Sequence, residues 1–372
     1  MKESNPRVLM PTYRLLEPIV SWASGYEFED VICAVDDVDL VAVENVQPKP
    51  FPWEEKLLAR ARTWAGIDIR RMPRPKKVSA RGDYEVFFIH VMTPGQLLVL
   101  DSIQGWQESC RTKVCWVEEL WVDMLQYTKL LEPLRQFDHV FVGHVPTPAP
   151  LSKIIDRKCS FLSPGVDALR FCPYPNPPAR MIDFYSIGRR SPATHQSLLE
   201  YAKRREGFTY LYDSARAMTF VADHAEHRER TASLIKRSRY FLADRAKANV
   251  PDQTKGSQVF GPRYFEGAAA GSVLVGATPK CDTFEAYFDW PDAVIPLEYG
   301  STDIADVIDE LDADPNRVSR ARQANVTNML RRHDWADRWA TVLETLGLDR
   351  QPALTERQGE LARRAQQVEN AK

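Results

Sequence analysis

Two series of short apolar runs, each alternating with longer amphipathic stretches and divided by one proline-dense segment, constrain this chain more than any other feature. The first series reads RVLM, DLVAVENV, YEVFFIHV, KVCWVEEL, HVFVGHV and CSFLS. Apolar runs this short, separated by helical patterning, predict a parallel sheet covered on both faces. After Ser163 prolines crowd at 164, 173, 175, 177 and 178, where neither a helix nor a central strand can continue. This places a linker at about 170 to 180. The second series, MIDFYSIG, FTYLYD, RYFLAD, SVLVGAT and DAVIPLE, again alternates with helical stretches. The expected fold class is α/β, with two doubly wound, Rossmann-like domains in tandem and a ligand cleft at the carboxyl ends of their strands.

A length of 372 residues gives each half room for its own core. Lys and Arg total 49 against 51 Asp and Glu, a formal net charge of -2. That balance supplies no global attraction for nucleic acid or an anionic membrane, so an anionic ligand must be met locally. No apolar run reaches the roughly 18 residues of a transmembrane helix, and the N-terminus has no pattern of a secretory signal. The six cysteines are scattered without CxxC pairs, as expected for reduced thiols in a cytoplasm.

The stretch SQVFGPRYFEGAAAGSVLVG, Ser257 to Gly276, sets Glu266 against a run of Gly and Ala and then enters an apolar strand. Read locally, Glu266 begins a helix whose first turn has almost no side-chain bulk, so a ligand is expected to approach it closely at Gly267. Arg189 and Arg190 follow an apolar run and Gly188, where guanidinium groups suit a diphosphate. Lys255 and Arg263 flank the Gln258 segment and could add charge.

These stretches resemble the two-domain GT-B glycosyltransferases, specifically the retaining group 1 family and its CgeB-like relatives. QVFGPRYFEGAAAGSVLVG is similar to that family's segment of two glutamates with seven residues between them, followed by a small-residue helix and a strand. SPGVDALRF resembles its domain junction, FYSIGRR its first strand and phosphate loop, and RRHDWADRW its closing helix. The four fall in the family's order over about 163 to 345. The chain departs from the pattern at Gln258, where the family usually has its first glutamate, and in lacking a Gly-rich turn after the first apolar run.

The resemblance implies domains at 1–172 for the acceptor and 173–345 for the nucleotide sugar, with 346–372 as a charged helical tail, solvated or frayed. It implies metal-independent transfer of a sugar from a nucleoside diphosphate sugar, with retention, to an acceptor hydroxyl. The implied catalytic residues are His90, Gln258 and Arg189. Glu266, Arg190, Lys255, Arg263, Gly188 and Gly267 are implied to bind the nucleotide sugar, Glu266 through the ribose hydroxyls. No cofactor, metal, nucleic acid or transmembrane segment is expected.

Other features are read more plainly. Glu118, Glu119 and Asp123 are expected on a solvated face, although they could meet the acceptor. His224 and His227 share a helix face without a third metal ligand, and Asp37 with Asp39 reads as a turn. Most of the nine tryptophans are expected in the core. Gln258 and the missing Gly-rich turn keep a second reading open: a catalytically silent nucleotide-sugar binder or assembly protein of the same fold.

Overall fold

The computed structural model describes residues 6–44, 75–214, 219–249, 254 and 256–371. Each apolar run of the first series is a strand: β1 (Val8–Thr12), β2 (Val38–Ala42), β4 (Tyr84–Val91), β6 (Cys110–Val117), β7 (His139–Val142) and β8 (Lys158–Phe161). They form one parallel sheet in the order β2-β1-β4-β6-β7-β8. Its central strands are apolar on both faces because helices cover both. Two short segments outside the series, β3 (Val78–Ser79) and β5 (Ile103–Gln104), pair separately.

The second series gives β9 (Ile182–Ser186), β10 (Tyr210–Tyr212), β11 (Ser238–Leu242), β12 (Val273–Gly276) and β13 (Ile295–Pro296). They make a second parallel sheet, ordered β10-β9-β11-β12-β13. In both sheets the first strand in sequence lies inside, with the second at the edge, so the chain reverses its direction of winding beside the first strand. At that switch the carboxyl ends of the strands open a crevice.

The halves are joined by more than the linker. Val20 N donates to Thr219 O at 2.9 Å and Val221 N to Pro18 O at 2.9 Å, and the helix Ala23–Val35 of the first half packs on His224–Lys236 of the second. The helix Trp335–Leu346 crosses back to the first sheet. Trp335 and Trp339, one turn apart, are both fully buried with Phe28, Val86, Phe88 and Trp116. This closing helix thus completes the core of the first half.

The tail corrects the expectation of a solvated or frayed helix. Pro352–Asn370 is one helix whose Leu354 enters the first core, while Leu361, Ala365 and Val368 enter the second. Those four positions follow the helical period and share one face, hidden in sequence by the charges around them.

Candidate functional site

The carboxyl end of β4 carries His90, which is buried, with Nε2 3.2 Å from Glu118 Oε2 and its ring 4.6 Å from that of Trp116. Gly25 admits the imidazole, since a Cβ there would stand 2.0 Å from His90 Cε1. Glu118 and Glu119 follow β6, and both leave the solvated face expected for them: Glu118 is buried against His90 and Glu119 is half-buried. Asp123 is also half-buried, in the next short helix. Burial, and then Glu118, push the Glu119 carboxyl above the usual carboxylate range. Lys247 and Arg189, from the second half, pull it the other way, so the two halves face each other here. Lys247 Nζ lies 4.5 Å from the Trp121 ring, and Trp121 meets His144 edge-on at 4.1 Å. Burial, and then Lys247, push His144 down to about 3.

In the second half β9 runs into Gly188, Arg189 and Arg190. Gly188 has φ +68, its N–H donates to Asp213 Oδ2 at 2.6 Å, and a Cβ on it would meet Arg263 Nη2 at 2.3 Å. The glycine thus makes the turn and lets a guanidinium lie against it. Its own N–H is already used. Arg263 Nη1 donates to Arg189 O at 3.1 Å, and Arg190 Nη2 donates to Asp213 O at 2.6 Å with its guanidinium 5.2 Å from the Tyr212 ring. The turn is held from both sides. Burial pulls the Arg263 guanidinium below its ordinary value, against the fields of Glu266 and Asp244. Among the described residues, Arg189, Arg190, Lys247 and Arg263 have no carboxylate oxygen within 4.0 Å.

The Gly-Ala segment differs from its sequence reading in two respects. Its helix is Pro262–Ala269, with Gly261 as N-cap, so Glu266 stands in the second turn and does not begin the helix. The N-terminus instead presents Arg263. Gly267 faces the sheet: a Cβ there would stand 2.3 Å from Leu274 Cδ2 and 2.7 Å from Phe241 Cδ1. Its smallness lets the helix lie close on β11 and β12, and Ala268 is likewise fully buried. The side chain of Glu266 is 6% exposed, and its Oε1 accepts from Arg228 Nη1. Among the described residues, Oε2 has no protein partner.

Gln258 is half-buried, and its Oε1 accepts from Lys280 N at 2.8 Å. Lys255 lies outside the described residues. His224 Nε2 is 3.0 Å from Asp30 Oδ2 across the two halves, while burial and then Arg228 lower the His227 imidazole. Asp39 lies in β2, where it accepts from Tyr84 OH at 2.6 Å. Among the described residues no three His, Cys, Asp or Glu are grouped as metal ligands.

Glu27 and Arg228 carry no signal in the sequence. Arg228, 3% exposed, grips Glu27 of the first half through Nε (3.1 Å) and Nη2 (3.0 Å) while its third nitrogen holds Glu266. Their separation of 201 residues is why no local spacing reveals them.

Residues 189–344 match the family described as Glycosyl transferase-like. The chain is similar in structure to Anabaena HepE, solved in complex with UDP and glucose, at 11% identity and a TM-score of 0.54 over 92% of this chain and 100% of that one. It is similar to an alpha-glucosyltransferase solved with UDP and a 13-mer DNA, at 12% identity and a TM-score of 0.53 over the same shares. A second HepE structure, with UDP-glucose, has 12% identity and a TM-score of 0.52, again over 92% and 100%. No curated protein matches the chain in sequence.

Proposed function

From the family match over residues 189–344 and the GT-B fold, we propose that the chain moves a sugar from a nucleoside diphosphate sugar to an acceptor hydroxyl, with retention and without a metal. The observation that carries this reading is the set of four cations, Arg189, Arg190, Lys247 and Arg263, left without carboxylate partners among the described residues where the second sheet faces the first. Cations gathered at a crevice, with Arg190, Lys247 and Arg263 half-buried and Arg189 exposed, call for an anion, and a diphosphate supplies one that neutralises several of them.

Arg189 and Arg263, joined through the Arg189 carbonyl, lie nearest the diphosphate, with Arg190 behind them; Lys255, outside the described residues, is kept on its sequence alone as a further donor of charge. Gly188 shapes that turn and Gly267 seats the helix beneath it. Glu266 offers Oε2 to the ribose hydroxyls. Gln258 faces a sugar hydroxyl through its amide NH2, and His90 meets the sugar from the first sheet. As the bond from the anomeric carbon to the diphosphate breaks, negative charge grows on the leaving phosphate beside the arginines. The acceptor oxygen bonds to the same face of that carbon, and its proton passes to the departing phosphate oxygen. Cations fixed in place beforehand stabilise this charge without reorganising.

Gln258 favours a second reading. It cannot carry negative charge and its Oε1 is already held by Lys280, as suits a catalytically silent binder. The net charge of -2 supports an acceptor other than nucleic acid. Six free cysteines support a reducing, cytoplasmic setting, and among the described residues no helix is long and apolar enough to cross a membrane.

The experiment is release of nucleoside diphosphate from a panel of UDP-, GDP- and dTDP-sugars across candidate acceptors, with and without EDTA. Release that persists in EDTA, giving a product of the donor's anomeric configuration, agrees with the proposal. Tight nucleotide binding without release points to the silent binder, and activity lost in EDTA but restored by Mn²⁺ contradicts metal independence.

A further inference from the structure

Glu27 is fully buried in the first-half helix Ala23–Val35, yet among the described residues every donor on its carboxylate comes from beyond that half's sheet. Arg228 Nε and Arg170 Nη1 reach Oε1 at 3.1 and 3.0 Å. Arg228 Nη2, Asp167 N and Trp335 Nε1 reach Oε2 at 3.0, 3.1 and 3.1 Å. Five donors fix this carboxylate, and it fixes two nitrogens of the Arg228 fork. A guanidinium is planar and rigid, so two anchored nitrogens aim the third. That third nitrogen holds Glu266 Oε1. The Phe171 ring, 4.9 Å from the guanidinium carbon, closes one face of the fork.

We propose that Glu27 and Arg228 are positioning residues: through a rigid bidentate clamp they set the direction of the Glu266 carboxylate, so that its free oxygen points at the nucleotide. This rests on the reading of Glu266 as the ribose ligand. The clamp acts from the first half on a ligand group of the second, and it leaves the diphosphate contacts at Arg189 and Arg263 untouched. Freed of it, Glu266 could turn in its pocket and lose its aim, while the phosphate turn, held by Asp213 and Arg263, would stay in place. The signature is therefore selective: recognition of ribose falls and recognition of diphosphate remains.

The test uses the full chain as wild type and as Glu266→Gln, Glu27→Gln and Arg228→Lys. Calorimetry measures UDP, GDP and ADP, each beside its 2′,3′-dideoxy form, and pyrophosphate. Wild type is expected to prefer the best-bound ribonucleotide over its dideoxy form by about tenfold or more, as charge-assisted hydrogen bonds imply. Glu266→Gln reduces that preference. Glu27→Gln, which keeps the volume, and Arg228→Lys, which keeps the charge, are expected to reduce it by about tenfold while pyrophosphate affinity stays within about twofold of wild type. If both variants keep the wild-type ribose preference, the clamp does not position Glu266 and the inference fails. If pyrophosphate affinity falls together with ribose preference, or both variants fail to fold, the clamp is scaffold and the inference is overturned. If wild type shows no ribose preference, or Glu266→Gln retains it, the reading of Glu266 itself fails, a distinct outcome.

Discussion

Trp335, in the helix that crosses back from the second half, lies stacked on Phe28 of the first at 4.8 Å between ring centroids, and the same indole donates through Nε1 to Glu27 Oε2 at 3.1 Å. One side chain thus serves the apolar core and the buried ionic group together. Trp335→Ala opens a cavity among Phe28, Trp116 and Gly165 and removes a donor from a buried carboxylate, with an expected loss of about 3 to 5 kcal/mol. Trp335→Phe keeps much of the packing and loses the N–H, so a smaller cost of about 1 to 3 kcal/mol is expected. Urea unfolding of the three proteins checks the order; equal stability of wild type and Trp335→Ala would contradict this packing.

Gly267 supports the fold before it supports a ligand. Gly267→Val is expected to destabilise by about 1 to 3 kcal/mol or more, because the added carbons must enter the space of Leu274 and Phe241. Molecules that remain folded should bind nucleotide nearly as wild type does. A variant with a wild-type unfolding midpoint and lost nucleotide affinity would restore the view of Gly267 as a surface for ligand approach.

His144 makes stability depend on pH in a direction fixed by its burial. Its folded value of about 3 lies below the roughly 6.5 of an exposed histidine. The unfolded chain therefore binds this proton first as acid is added. The contribution is fully present above the unfolded value and is lost as pH falls toward the folded one. From pH 7 to 5 the cost is about 2 kcal/mol. His144→Asn removes this component, so the stability difference between wild type and variant should narrow or reverse over that interval. Parallel pH profiles of the two proteins would contradict a neutral, buried His144.

Much of this architecture is legible in the sequence, because eleven apolar runs bounded by turn residues are the strands of two sheets. The same reading fails where packing partners are distant. Leu354, Leu361, Ala365 and Val368 look incidental among the charges of the tail until the cores they enter are known. The Gly and Ala after Glu266 suggest a helix start there, whereas Gly261-Pro262, an N-cap and first-turn pair, marks the start four residues earlier. For Glu27 no local cue exists, since its donors come from Asp167, Arg170, Arg228 and Trp335.

The central claim, a nucleoside diphosphate held between the Arg189 turn and Glu266, is tested most directly by calorimetry of UDP, GDP and dTDP binding to wild type, Arg189→Ala and Glu266→Ala. Each substitution removes charge-assisted hydrogen bonds contributing roughly 1.5 to 3 kcal/mol apiece. The account predicts that wild type binds at least one of the three nucleotides and that each variant, folded normally, binds it about ten to more than a hundredfold more weakly. Wild-type affinity in both folded variants, or no binding of any nucleoside diphosphate by the wild-type protein, would contradict it.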